Sequence, residues 1–160
     1  MKLDEIDIKL LNLLQENCMI PIKNLAQKIN LSIAPTHDRI KKLEKQGLIK
    51  KYVALIDNTL VNKSLINYCN VSIYKHNTDK FAIFENAIRA MDEVLECYCI
   101  AGNSDYLLKI ITSDMEEYQK FILTKLAKLD IISNINSQFV LKPIKYSTSI
   151  NLKSVNKKEV

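Results

Sequence analysis

Along Ser32–Gln46 the charged side chains fall on one side of a helical repeat and the apolar ones on the other. Thr36, Ile40 and Leu43 share the inward side, while His37, Asp38, Lys41 and Lys45 point the other way, flanked by Arg39 and Lys42. Cations at that spacing can neutralise phosphates, and an imidazole or carboxylate among them can meet base edges. The same pattern also suits a merely solvated helix face, and taken alone it leaves both readings open.

The residues just before this helix narrow the choice. Ile22, Leu25, Ala26 and Ile29 give a short first helix one apolar face. Asn30 follows, a residue that tolerates the left-handed conformation ending a helix, and Leu31 plugs the turn. Ser32 offers a hydroxyl N-cap, Pro35 falls in the first turn where its missing N–H is harmless, and Gly47 ends the helix. Two short helices joined by a tight turn, the second with its charge outward, form a helix-turn-helix of the kind that enters a DNA major groove. After Gly47, the alternating run LIKKYVALID reads as a β-ribbon, which would make the unit winged.

Catalytic constellations are missing from the sequence. It has no P-loop, HExxH, GxSxG or dinucleotide-binding glycine pattern, and neither His37 nor His76 has a nucleophile near it, so no enzyme and no cofactor is expected. Cys97 and Cys99 fall on one strand face and could in principle bind a metal. Together with Cys69 they lie in apolar runs, and the preferred reading is of small hydrophobes rather than metal ligands. Met1-Lys2-Leu3 leads directly into an acidic helix start and no apolar run is long enough to span a bilayer, so a reduced, cytoplasmic protein without membrane contact is expected.

Charge is unevenly placed. Residues 1–58 carry a net +3, 59–141 a net −2 and 142–160 a net +4. A basic head and tail around a slightly acidic middle suit a polyanion at the ends and another role at the centre. The 21 Lys against two Arg, with abundant Ile and Asn, read as codon bias from an AT-rich genome.

Helix one is expected from about Asp4 to Glu16, with Asp4 as N-cap, Leu3 stapled on Ile8, and Ile6, Leu10, Leu13 and Leu14 as its core stripe. Residues 1–57 form the head, 58–67 a hinge, 68–150 a second domain and 151–160 a basic tail. In the second domain the pattern predicts strands at Tyr68–Lys75, Val94–Ala101, Tyr106–Thr112 and Ser133–Leu141. Helices are predicted at Asp79–Met91 and Asp114–Lys128, the latter capped by Asp114 with Glu117 as capping-box partner. The order βαββαβ is the ferredoxin-like (ACT-like) split unit, an antiparallel sheet with both helices on one face, and the fold class is α+β. Apolar residues on both sides of several strands imply that a second copy covers the open face, giving an obligate dimer.

The runs LDEIDIKLLNLLQ, NLAQKINLS leading into RIKKLEKQGLIKKY, and AGNSDYLLKI with the helix after it resemble the leucine-responsive/asparagine-responsive (Lrp/AsnC) family of transcription regulators over nearly the whole chain. The resemblance implies an N-terminal winged helix-turn-helix, a C-terminal ferredoxin-like ligand-sensing domain, dimers assembling further into octamers, and amino-acid effectors. It places the recognition helix at about 32–46. Ser32 and Thr36 then offer hydroxyls to phosphates or base edges, His37 and Asp38 reach base edges, and Arg39, Lys41, Lys42 and Lys45 neutralise phosphates. Asp38 stands where many relatives have a basic residue, and it is repelled by DNA unless it accepts from a cytosine amino group or orders Arg39. With one Arg in the head, at most one bidentate guanine contact per subunit is available, which points to A/T-rich double-stranded sites read through DNA flexibility.

Gly102-Asn103-Ser104-Asp105 is similar to the family's G-x-x-D loop near a small-molecule pocket between subunits. Its N–H groups suit the carboxylate and Asp105 the ammonium of an amino acid. The alternative is a hairpin turn, with Gly102 supplying a positive φ and Asp105 capping a strand end. Asn103 and Ser104 depart from the acidic and aromatic residues frequent there. Gln138 on the last strand is a further polar candidate. A small-molecule-binding oligomer with weak, architectural DNA binding is the alternative function.

Overall fold

The computed structural model describes residues 3–74 and 78–152. Lys75, expected to end the first strand, and the basic tail beyond residue 152 lie outside the described residues. The chain divides into two compact units, Met1–Ala54 with Lys145–Val160, and Leu55–Ile144.

In the first unit three helices share one core: α1 (Glu5–Glu16), α2 (Ile22–Lys28) and α3 (Ile33–Lys45). Asp4 caps α1, accepting from the Asp7 N–H at 2.7 Å, while the Asp7 carboxylate reaches back to the Asp4 N–H, closing a capping box. Leu3, Leu10, Leu11, Leu25, Ile29 and Leu43 bury the centre. The N–H groups of Asn30 and Leu31 donate to Gln27 and Ala26, with Asn30 at φ 56°. Those of Gly47 and Leu48 donate to Glu44 and Leu43, with Gly47 at φ 73°. Both helix ends are thus Schellman motifs, each satisfying two otherwise orphan carbonyls.

Two expectations change here. The alternating run after Gly47 forms no strand, and among the described residues the first strand begins at Leu65. A ribbon needs a second strand to pair with, and the residues after Asp57 turn through Asn58–Asn62, with Asn62 at φ 55°, instead of returning along it. The segment 145–152 also joins this unit. The Ile150 N–H donates to Gln15 Oε1 at 2.7 Å, Gln15 Nε2 donates back to the Ile150 carbonyl at 3.1 Å, and Leu152 packs on the head's core.

The second unit is a four-stranded antiparallel sheet of β1 (Leu65–Ile73), β2 (Val94–Cys99), β3 (Tyr106–Thr112) and β4 (Ile132–Phe139), in the order β2-β3-β1-β4. Cys69, Val71, Ile73, Tyr106, Leu108 and Ile110 alternate onto one face. They are covered by Phe84 and Ile88 of α4 (Thr78–Arg89) and by Tyr118 and Phe121 of α5 (Met115–Phe121). This is the expected ferredoxin-like arrangement.

Several details depart from the sequence pattern. The expected hinge ends early, because Leu65, Ile66 and Asn67 already pair in β1. The last helix is not α-helical throughout: Ile122–Leu126 widens into a π turn, closed by the Ala127 N–H donating to the Ile122 carbonyl. Asp114 caps α5 as expected, but the Glu117 carboxylate accepts from the Ser113 N–H at 2.6 Å and from Lys63 instead of closing a box on Asp114. Of the strand cysteines only Cys69 is buried. Cys97 and Cys99 are exposed because β2 is an edge strand. The sheet's open face is mixed: Ile66, Tyr68 and Leu107 alternate there with Asn70, Ser72 and the 2.8 Å Lys109–Glu96 ion pair.

Candidate functional site

The inward side of α3 is set by Thr36 and Leu43, both buried. Ser32, His37, Asp38, Lys41, Lys42 and Lys45 are exposed, so one helix and its N-cap residue hold all six at the surface. Its N-terminus carries no side-chain cap. A capping hydroxyl accepts from the second or third helical N–H, and the third residue is Pro35, which has none. Ser32 makes no side-chain cap bond. Its carbonyl instead accepts from both the Thr36 N–H at 3.3 Å and the Thr36 hydroxyl at 2.8 Å.

Thr36 and Arg39 therefore differ from the sequence reading. Thr36 is fully buried with its hydroxyl donated to Ser32, which withdraws it from any base edge or phosphate. Arg39 Nη1 donates at 2.6 Å to both Asp4 Oδ2 and Asp7 Oδ1. The guanidinium answers the buried Asp7 carboxylate, and the pair of carboxylates holds the arginine's pKa above its ordinary value. The Asp7 N–H, together with Arg39, holds the Asp4 carboxyl below the usual range. Asp38 does not appear among the partners of this network; Asp4 and Asp7 do the ordering it was offered for. The sequence marks Asp4 as the cap of the first helix, but it does not show that Asp7 closes the box or that a cation 32 residues after Asp7 completes the group.

The segment after α3 is fixed by Tyr52, whose hydroxyl donates to Glu44 Oε1 at 2.9 Å. Burial and the Glu44 carboxylate push its pKa up to about 12.

In the second unit Gly102 adopts φ 150°, a conformation that favours glycine, with Asn103 exposed and Ser104 and Asp105 half-buried. Asp105 stitches three strands. Its N–H donates to the Val71 carbonyl at 3.0 Å, its carbonyl accepts from the Ile100 N–H at 2.9 Å, and Oδ2 accepts from the Ile73 N–H at 2.7 Å, where the β1–β4 register shifts. The carboxylate thus caps a strand end, as the turn reading expects. Gln138 pairs with Tyr68 and is exposed on the open face. Val71, which holds the loop, lies three residues further along β1, about 10 Å away. A single chain does not bring Gln138 to the loop.

Residues 3–50 match the winged helix-turn-helix DNA-binding family, and residues 67–150 match the Lrp/AsnC ligand binding domain. The chain is a member of the Lrp/AsnC family. Among the curated relatives, the leucine-responsive regulatory protein of Haemophilus influenzae is 38% identical over 151 residues, spanning 94% of this chain and 91% of the relative. The DNA-binding transcriptional activator DecR of Escherichia coli K12 is 33% identical, spanning 92% of this chain and 97% of the relative. Among solved structures, a transcriptional regulator from Neisseria meningitidis in complex with L-Met superposes with a TM-score of 0.93. It is 36% identical and covers 96% of this chain and 99% of that one. This Lrp/AsnC protein is a DNA-binding transcriptional regulator with a C-terminal ligand-binding domain. Its α3 is the second helix of the matched helix-turn-helix, and the Gly102–Asp105 loop lies within the matched ligand-binding domain.

Proposed function

We propose that α3 docks in the major groove of A/T-rich double-stranded DNA, holding it more by charge and shape than by base readout. The observation that carries this is the capture of Arg39 by Asp4 and Asp7 at 2.6 Å, which takes up the only arginine of residues 1–58. Without a bidentate guanine reader, Lys41, Lys42 and Lys45 supply phosphate contacts, and His37 and Asp38 are left for base edges. Specificity then leans on DNA deformability across several half-sites presented by a homodimer, itself assembled toward an octamer. In vitro selection from random duplexes is the test. Enrichment of flexible A/T-rich sequences is expected, and a G/C-rich, rigidly spaced motif would overturn the reading.

The effector in this reading is an amino acid held at the Gly102–Asp105 loop, its carboxylate on loop N–H groups and its ammonium near Asp105. The Neisseria relative's complex with L-Met supports this choice of ligand class. Melting-temperature shifts with each of the twenty common amino acids test it, and no shift with any of them would reduce the loop to a structural turn. The fit to a family of regulators supports a non-enzymatic, cytoplasmic role.

A further inference from the structure

A cavity of about 320 Å³ opens between α4 and the edge strand β2, lined by Glu85, Ile88, Arg89, Cys97, Cys99 and Tyr106. Neither the DNA face nor the effector loop draws on these side chains. Cys97 pairs with Leu108 and Cys99 with Tyr106 across the β2–β3 ladder, so strand alternation turns both thiols to the same side. Both are free and exposed. Behind them Glu85 accepts from the Tyr106 hydroxyl at 3.0 Å and lies 3.5 Å from Arg89.

We propose that Cys97 and Cys99 form a two-thiolate site for a soft monovalent cation of the copper(I) class. Ligand count and softness select the ion. Among the described residues, no group of three or more His, Cys, Asp or Glu side chains is placed to hold a metal ion. Zinc needs about four such ligands and calcium about six oxygens. Copper(I) is selected by thiolates, and two sulfurs are enough for linear coordination. The spacing argues the same way. Two residues along a strand separate the Cα atoms by about 6.7 Å, near the outer limit for a disulfide, so a bridging ion fits the pair better than a direct S–S bond.

The balance is two thiols plus one cation giving an anionic bis-thiolate complex and two released protons. Arg89 lines the same cavity and is placed to offset the negative charge of the complex.

The test is anaerobic titration of the full-length protein against a chromophoric copper(I) chelator. One ion per chain should be withdrawn, with ultraviolet thiolate-to-copper absorption. Cys97→Ser or Cys99→Ser should weaken binding by more than about 100-fold, beyond what loss of a merely supporting residue costs. Cys18→Ser should leave it unchanged. Serine nearly preserves side-chain volume, and circular dichroism confirms that each variant is folded. Wild-type affinity in the Cys97→Ser/Cys99→Ser double variant, or loss of binding in Cys18→Ser, would overturn the proposal.

Discussion

Arg39 Nη1 lies 2.6 Å from Asp7 Oδ1, tying the middle of α3 to the first turn of α1 across 32 residues of sequence. Asp7 is buried and Arg39 only half-buried, so the arginine serves mainly to keep a desolvated carboxylate paired. Arg39→Ala should cost about 2 kcal/mol of stability, the scale of a lost hydrogen bond to a charged group. Adding Asp7→Asn should restore part of that, giving a non-additive double-mutant cycle. Under conditions where the variant is folded, its DNA affinity should keep the wild-type salt slope. A reduced slope would mean that Arg39 leaves Asp7 to contact phosphate.

Lys41 and His37 share an exposed side of α3 but should fail differently. Lys41→Ala should weaken binding to all duplexes alike and lower the log–log salt slope by about 1 per subunit. His37→Ala should leave that slope intact and flatten the preference among selected sites. Fluorescence anisotropy with one selected and one scrambled duplex, at several salt concentrations, separates the two. A sequence-dependent loss in Lys41→Ala would contradict the assignment.

Local signals were legible and long-range ones were not. Asn30 and Gly47 marked both helix ends because a positive φ selects those residue types. The alternation in β1 and β3 and the apolar spacing in α4 likewise gave the sheet and its covered face. The run LIKKYVALID failed as a ribbon because alternation shows what a strand would look like without showing whether a partner strand exists. The exposure of Cys97 and Cys99 is hidden for a related reason: the same alternating sequence is buried in a central strand and exposed at an edge, and strand order is not local information. Within the site, Thr36 carried two incompatible readings, inward by periodicity and DNA-facing by resemblance. Burial decides for the first.

The carboxy-terminal segment gives a prediction that composition did not suggest. Residues beyond 141 read as a basic tail, yet Gln15 and Ile150 exchange two hydrogen bonds, 2.7 and 3.1 Å long. Gln15→Ala should cost about 1 kcal/mol, since both bonds are exposed to competing water. The local effect should be clearer than the global one. Hydrogen exchange at the Ile150 amide should speed up in Gln15→Ala while the amides in the middle of α3 keep their protection. Equal acceleration throughout the head would show that the segment is integral to its folding rather than clipped onto it.

Glu117 supplies the pH dependence. It accepts from Lys63 Nζ at 2.6 and 2.9 Å and from the Ser113 N–H at 2.6 Å, which holds its pKa at about 2 against an ordinary 4.5. Lys63 is the larger cause and Ser113 the next. A carboxylate depressed in the folded state binds protons more readily when unfolded, so its contribution is complete above about pH 4.5 and is lost as the pH falls toward 2. Half-exposure and solvent screening keep that contribution modest. Glu117→Gln should therefore melt below wild type at pH 6, and the gap should close as the two are compared at successively lower pH. Asp114 is also depressed, chiefly by the Glu117 N–H it caps; the Glu117 charge opposes this, so Asp114 is held lower still in Glu117→Gln and offsets a small part of the closing gap. Lys63→Met should reproduce the smaller pH slope while leaving the Ser113 contact in place. Parallel melting curves for wild type and Glu117→Gln from pH 6 to pH 3 would show that the ion pair adds nothing to the fold.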